Sequence, residues 1–97
     1  MSPRRTDDNQ TDIVKVIRQL GGEWIETSGD PRSGCDGILL FRGRSYVTEI
    51  KNGSLSASRR KLTDNEQRTQ AKCIRTGSPY LVLTSPEHAI EVLRDFH

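Results

Sequence analysis

Cysteine, histidine and aromatic residues are all scarce in this chain. The two cysteines, Cys35 and Cys73, stand far apart without C-x-x-C spacing, and both histidines, His88 and His97, fall near the C-terminus. That arrangement excludes a zinc cluster. A disulfide would be unusual in a reducing cytosol, so each cysteine is expected as a small buried side chain. No apolar run approaches the roughly 18 residues of a membrane span, and Met1 to Asp12 lacks the apolar centre of a secretory signal. The expected setting is the cytoplasm, with no membrane partner. Repeats and low-complexity tracts are also missing.

What remains is a chain of 97 residues, 32% hydrophobic and 29% charged. That length holds one domain with a modest core, spanning residues 1–97, with 1–6 expected as a disordered tail. Its apolar residues fall in short blocks, as in a folded protein. The net charge of +2 says little about partners, but its distribution says more. Between Lys51 and Lys72, six basic residues (Lys51, Arg59, Arg60, Lys61, Arg68, Lys72) face only Asp64 and Glu66. Such a local basic patch suits a surface that meets phosphates.

Ile13, Val14, Ile17 and Leu20 recur at helical spacing after a candidate cap at Thr6 and before Gly21-Gly22, which predicts a helix over Asp7 to Leu20. Glu23 to Thr27 reads as a strand with Trp24 in the core, followed by a flexible loop that delivers Asp36. Gly37 to Phe41, a turn at Arg42-Gly43, and Ser45 to Lys51 read as a β-hairpin. After a polar loop from Asn52 to Lys61, Thr63-x-x-Glu66 has the form of a capping box, in which the two residues exchange side-chain to backbone hydrogen bonds at a helix start. That helix should run to about Thr76, followed by a strand over Tyr80 to Leu83 and a last helix opened by Ser85-Pro86-Glu87. The fold class is therefore α/β (α+β), in the order α-β-β-β-α-β-α, with a mixed sheet.

The hairpin carries the chemistry. A two-residue turn at Arg42-Gly43 makes cross-strand partners sum to 85, which sets Asp36 opposite Glu49. Two carboxylates held about 4.5 to 5.5 Å apart at Cβ repel. Either one is protonated or a cation lies between them, and oxygen ligands of this kind suit Mg²⁺ or Mn²⁺. Lys51 projects from the same face as Glu49, one step along. Tyr46, Thr48 and Ile50 meet Leu39 and Phe41 on the other face, which is core. A three-residue turn would shift the register by one unless a bulge restored it.

Asp36 followed by Glu49-Ile50-Lys51 resembles the D…E-x-K centre of PD-(D/E)XK nucleases. Glu49 to Gly53, with Leu62-Thr-Asp-Asn-Glu-Gln67, resembles more closely the small stand-alone VRR-NUC domains common in phages and prophages, over Gln10 to about Leu83. The resemblance implies a restriction-endonuclease-like sheet flanked by helices, in the cytoplasm of a bacterial or phage-infected cell. It implies a metal-dependent endonuclease acting on DNA. No residue pattern encodes base readout, so branched or flap structures are expected in preference to a sequence site, and the small surface, with the pairing common among related stand-alone domains, points to a homodimer. Asp36, Glu49 and the Ile50 carbonyl would bind the metal, Lys51 would assist the water, and Gln67 would lie beside the centre. Gln10 stands where the family tends to have an acid, leaving a fourth ligand open between an amide oxygen, Asp7 and none. Cys35 stands where the motif's name has proline. Arg59, Arg60, Lys61, Arg68 and Lys72 would contact DNA.

Plainer readings stand beside these. Glu-x-Lys alone is usually a solvated pair, Gln10 and Gln67 can be ordinary helix residues, and His88 and His97 read as surface groups. The competing functions are a catalytically inactive nucleic-acid-binding module of the same fold, and a protein-interaction domain without metal dependence.

Overall fold

Arg42 and Gly43 both take positive φ, 52° and 80°, the geometry of the two-residue turn whose twist matches that of its flanking strands. The hairpin follows in register, Phe41 pairing with Arg44 and Gly37 with Thr48, so that partners sum to 85 as the sequence predicts. A computed structural model describes residues 8–53 and 61–96 of the chain. The expected tail, the candidate cap Thr6, Asp7, the loop residues 54–60 with Arg59 and Arg60, and His97 lie outside the described residues.

The elements are α1 (Asp8–Gln19), β1 (Glu23–Glu26), β2 (Gly37–Phe41), β3 (Arg44–Ile50), α2 (Asp64–Thr76), β4 (Tyr80–Leu83) and α3 (Pro86–Arg94). They form the predicted α-β-β-β-α-β-α order. The four strands make one mixed sheet in chain order, antiparallel from β1 to β3 and parallel between β3 and β4. Parallel neighbours need a crossover, and α2 supplies it.

Alternation sorts the sheet into two faces. One carries Trp24, Leu39, Phe41, Tyr46, Ile50 and Leu83, which join Ile13 and Ile17 of α1 with Ala89 and Leu93 of α3 in the core. Ile13, Ile17, Leu39 and Leu83 are completely buried. Each contributes roughly 1.5 to 3 kcal/mol of transfer free energy. Phe96 closes this layer by stacking on Tyr46 at 4.7 Å between ring centres. Cys35 and Cys73 are both free and buried, as expected. His88 differs from its surface reading: it is half-buried, and its Nδ1 accepts the Thr84 N–H at 3.1 Å. One turn past the Ser85 cap, the ring folds back onto the end of β4.

The segment joining β1 to β2, expected to be flexible, is tied down. Thr27 N–H donates to Asp36 O at 2.9 Å and Thr27 Oγ1 to Cys35 O at 3.1 Å. From α2, Asn65 Nδ2 donates to Pro31 O at 2.7 Å and Thr69 Oγ1 to Ser33 O at 3.2 Å. Gly34 makes that docking possible. It sits at φ +64° with Asn65 O and the Thr69 side chain where a Cβ would stand.

Gly34→Ala should therefore destabilise by roughly 1 to 3 kcal/mol through overpacking and a left-handed backbone. Gly43→Ala, with open space around it, should lose only about 1 kcal/mol. Urea unfolding curves measure both, and an equal loss would mean that the α2 contact at Gly34 is not tight.

Candidate functional site

Asp36 immediately precedes β2 and is held from both sides. Its O accepts from Thr27, and its N–H donates at 2.9 Å to Thr48 O, the residue that Gly37 already faces. This is a bulge at the mouth of the hairpin, so Asp36 is not the in-register partner of Glu49 that an undisturbed ladder implies. The side chain restores the meeting: Oδ2 accepts the Ile50 N–H at 2.7 Å, and the carboxyl also shares a hydrogen bond with Glu49. Burial pushes the Asp36 acid up. The Ile50 and Glu49 contacts oppose that push, while the charges of Glu66 and Glu26 add to it.

Glu49 is the most enclosed member, 3% exposed. Oε2 lies 3.4 Å from Lys51 Nζ, whereas Oε1 has no hydrogen-bond donor facing it among the described residues. Burial pushes this acid up to about 9, helped by a hydrogen bond to Glu66 and the charges of Asp36 and Glu66, against the pull of Lys51. Without a cation, the acid is therefore protonated at neutral pH and can donate to its carboxylate neighbours.

Lys51 projects from the same face one step on, as alternation requires. Burial alone would depress its ammonium, but the hydrogen bond to Glu66 and the charges of Glu49 and Glu66 outweigh it and hold it above the ordinary lysine range. Glu66 is the group that the sequence leaves as a helix cap and nothing more. The capping box forms: Glu66 N–H donates to Thr63 Oγ1 at 3.2 Å, and Glu66 Oε1 accepts from Thr63 N at 2.8 Å. That same Oε1 also accepts from Lys51 Nζ at 2.9 Å. Burial pushes the Glu66 acid up, but Glu49, the Thr63 N–H and Lys51 outweigh it and keep the carboxylate below its usual range.

Asp36, Glu49 and Glu66 line one cleft with Ser28, Asp30 and Ser33. Gln67 is placed elsewhere. Successive helix residues turn by about 100°, so with Glu66 turned inward Gln67 points to solvent, where its Nε2 donates to Leu62 O at 3.0 Å. Lys61, ahead of α2, and Arg68 and Lys72 on it are exposed.

Gln10 is buried, and its Nε2 donates to both oxygens of Glu26 at 3.0 Å. Trp24 Nε1 at 2.8 Å and Ser28 Oγ complete the donors on that carboxylate. Although burial pushes the Glu26 acid up, those bonds keep it below its usual range. Sequence reasoning passed over Glu26. Its only local signal is the Trp24-x-Glu26 spacing, which puts both on one face of β1.

Among the described residues, no three or more His, Cys, Asp or Glu side chains are arranged to hold a metal ion by themselves. A cation here would have to take Asp36 and Glu49 together with main-chain oxygen. Hard oxygen donors and a buried carboxylate oxygen without a donor fit Mg²⁺ or Mn²⁺.

No protein-family model matches the sequence, and no curated protein matches it either. Among solved structures, one described as a VRR_NUC domain superposes with a TM-score of 0.71 at 20% identity, over 93% of this chain and 95% of that one. The chain thus shares the fold of that VRR_NUC domain, and the likeness extends over nearly all of both chains.

The raised Glu49 acid has a consequence for stability. A folded-state pKa near 9 against an ordinary 4.5 means that folding takes up a proton between those values. Stability of the metal-free protein should then fall as pH rises through this window. The lowered acids Glu26, Asp30 and Glu66 lose their contributions only at more acidic pH. Melting temperatures measured in chelator should drop by about 5 °C or more from pH 5 to pH 9. Glu49→Gln should flatten the curve; a wild-type curve that rises with pH would contradict the assignment.

Proposed function

We propose that this chain is a Mg²⁺- or Mn²⁺-dependent endonuclease that hydrolyses phosphodiester bonds in DNA. The observation that carries this reading is the meeting of Asp36 and Glu49 in one cleft, with Lys51 Nζ 3.4 Å from Glu49 and a Glu49 oxygen buried and facing no donor among the described residues. The shared fold supports it.

On this reading Asp36, Glu49 and the Ile50 carbonyl are the groups that would hold the ion. When bound, such an ion polarises a phosphoryl oxygen and makes water a stronger nucleophile. The chain's own part is positioning. The Asp36 bulge, locked by Thr27, Thr48 and Ile50 N–H, fixes one carboxylate, and burial fixes the other. Lys51 places a positive charge where charge builds up on the attacked phosphoryl group. Gln10 serves through Glu26, whose ionised carboxylate it helps to hold near Asp36. Exposed Lys61, Arg68 and Lys72, with Arg59 and Arg60 by sequence, supply phosphate contacts. The sequence carries no base-reading motif, and on this reading DNA shape, such as a branch or flap, is the substrate feature recognised. A homodimer with two centres is the assembly we propose.

A metal-independent DNA-binding module is the second reading. The observation that favours it is Gln10, an amide turned toward Glu26. Cleavage of branched and linear DNA in Mg²⁺ or Mn²⁺ separates the two. Lys51→Ala and Glu49→Gln should each lower the rate about a hundredfold or more while DNA binding persists. DNA binding by the wild type in chelator, with no cleavage in either metal, would establish the module instead.

A further inference from the structure

Lys51 is the one cation within 4 Å of the acid oxygens of Asp36, Glu49 or Glu66 among the described residues, and it could compete for the carboxylate that a metal needs. Its ammonium lies 3.4 Å from Glu49 Oε2 but 2.9 Å from Glu66 Oε1, so the stronger pairing is with the helix and not with the strand. Glu66 is held there independently. Its Oε1 is anchored by the Thr63 N–H at 2.8 Å, and the start of α2 favours negative charge at that position. The pair is enclosed, with side-chain exposures of 15% for Lys51 and 16% for Glu66. Solvent screening is therefore weak.

We propose that Glu66 is a positioning residue that draws the Lys51 ammonium off Glu49, leaving the Asp36 and Glu49 pair open to a divalent cation while keeping Lys51 beside it. This rests on the cation reading of the centre. With the Glu66 charge removed, the remaining acid in contact with Lys51 is Glu49, and the ammonium closes onto it. Cation and ammonium then compete for one carboxylate.

The coupling is specific, so a double-mutant cycle isolates it. Glu66→Gln keeps the cap, since glutamine serves at that position of a capping box, and removes only the charge. Mn²⁺ binding is measured by calorimetry for wild type, Glu66→Gln, Lys51→Met and the double variant, with thermal melts to confirm folding. Glu66→Gln should weaken Mn²⁺ binding about tenfold when Lys51 is present and less than about twofold in the Lys51→Met background. Equal weakening in both backgrounds would make Glu66 a direct ligand or a plain field charge, and no weakening in either would make it a cap only; both outcomes overturn the proposal. A wild type that binds no Mn²⁺ at millimolar concentration would overturn the cation reading and the proposal with it.

Discussion

Three carboxyl groups, those of Asp36, Glu49 and Glu66, line one cleft, the Lys51 ammonium lies against two of them, and the rest of the site is organised by that crowding. Asp36, Glu49 and Glu66 cannot all be ionised at low cost with Lys51 as the one cation paired with any of them among the described residues. The residue with least access to water, Glu49, keeps its proton in the metal-free protein. Glu66, solvated on one side and anchored by a helix start, keeps its charge. Environment thus assigns different states to chemically similar groups. On the proposed reading, the proton on Glu49 occupies the electrostatic place of a divalent ion.

The fold supplies the rigidity that makes such crowding tolerable. A two-residue turn sets the register of β2 and β3, and a bulge at the far end of that hairpin lets Asp36 reach Ile50 N–H. The α2 crossover returns the chain over the same face and presents Glu66 at its first turn. Asn65 and Thr69 pin the Asp36-bearing segment to that helix. Beyond the sheet edge, Asn9 of α1 donates to Lys51 O and Thr84 O, both at 3.1 Å, clamping the end of β3 to that of β4. Each acid is thereby carried by a different element, and no single helix movement can relieve the repulsion.

Much of this was legible in the sequence because it depends on short-range rules. Strand alternation put Glu49 and Lys51 together, the Arg42-Gly43 turn gave the register, and Thr63-x-x-Glu66 located the start of α2. What escaped notice depends on contacts between distant segments. A capping box accounts for Glu66 locally, so nothing in its motif signals the bond to Lys51. Gln67, one residue on, is placed beside the centre by the resemblance alone, and a difference of about 100° around a helix is invisible without knowing which side faces the sheet. Gln10 read as a gap in a ligand set; its partner Glu26 lies sixteen residues away on β1, a pairing that periodicity does not encode. The bulge at Asp36 likewise arises from the pull of Thr27 and Thr48 on either side.

If a cation takes the place of the Glu49 proton, binding must release that proton. Calorimetric titration of Mn²⁺ at pH 7, repeated in buffers of different ionisation enthalpy, counts it directly. About one proton should be released per ion bound in the wild type, and none in Glu49→Gln. Mn²⁺ binding with no proton release by the wild type would contradict it.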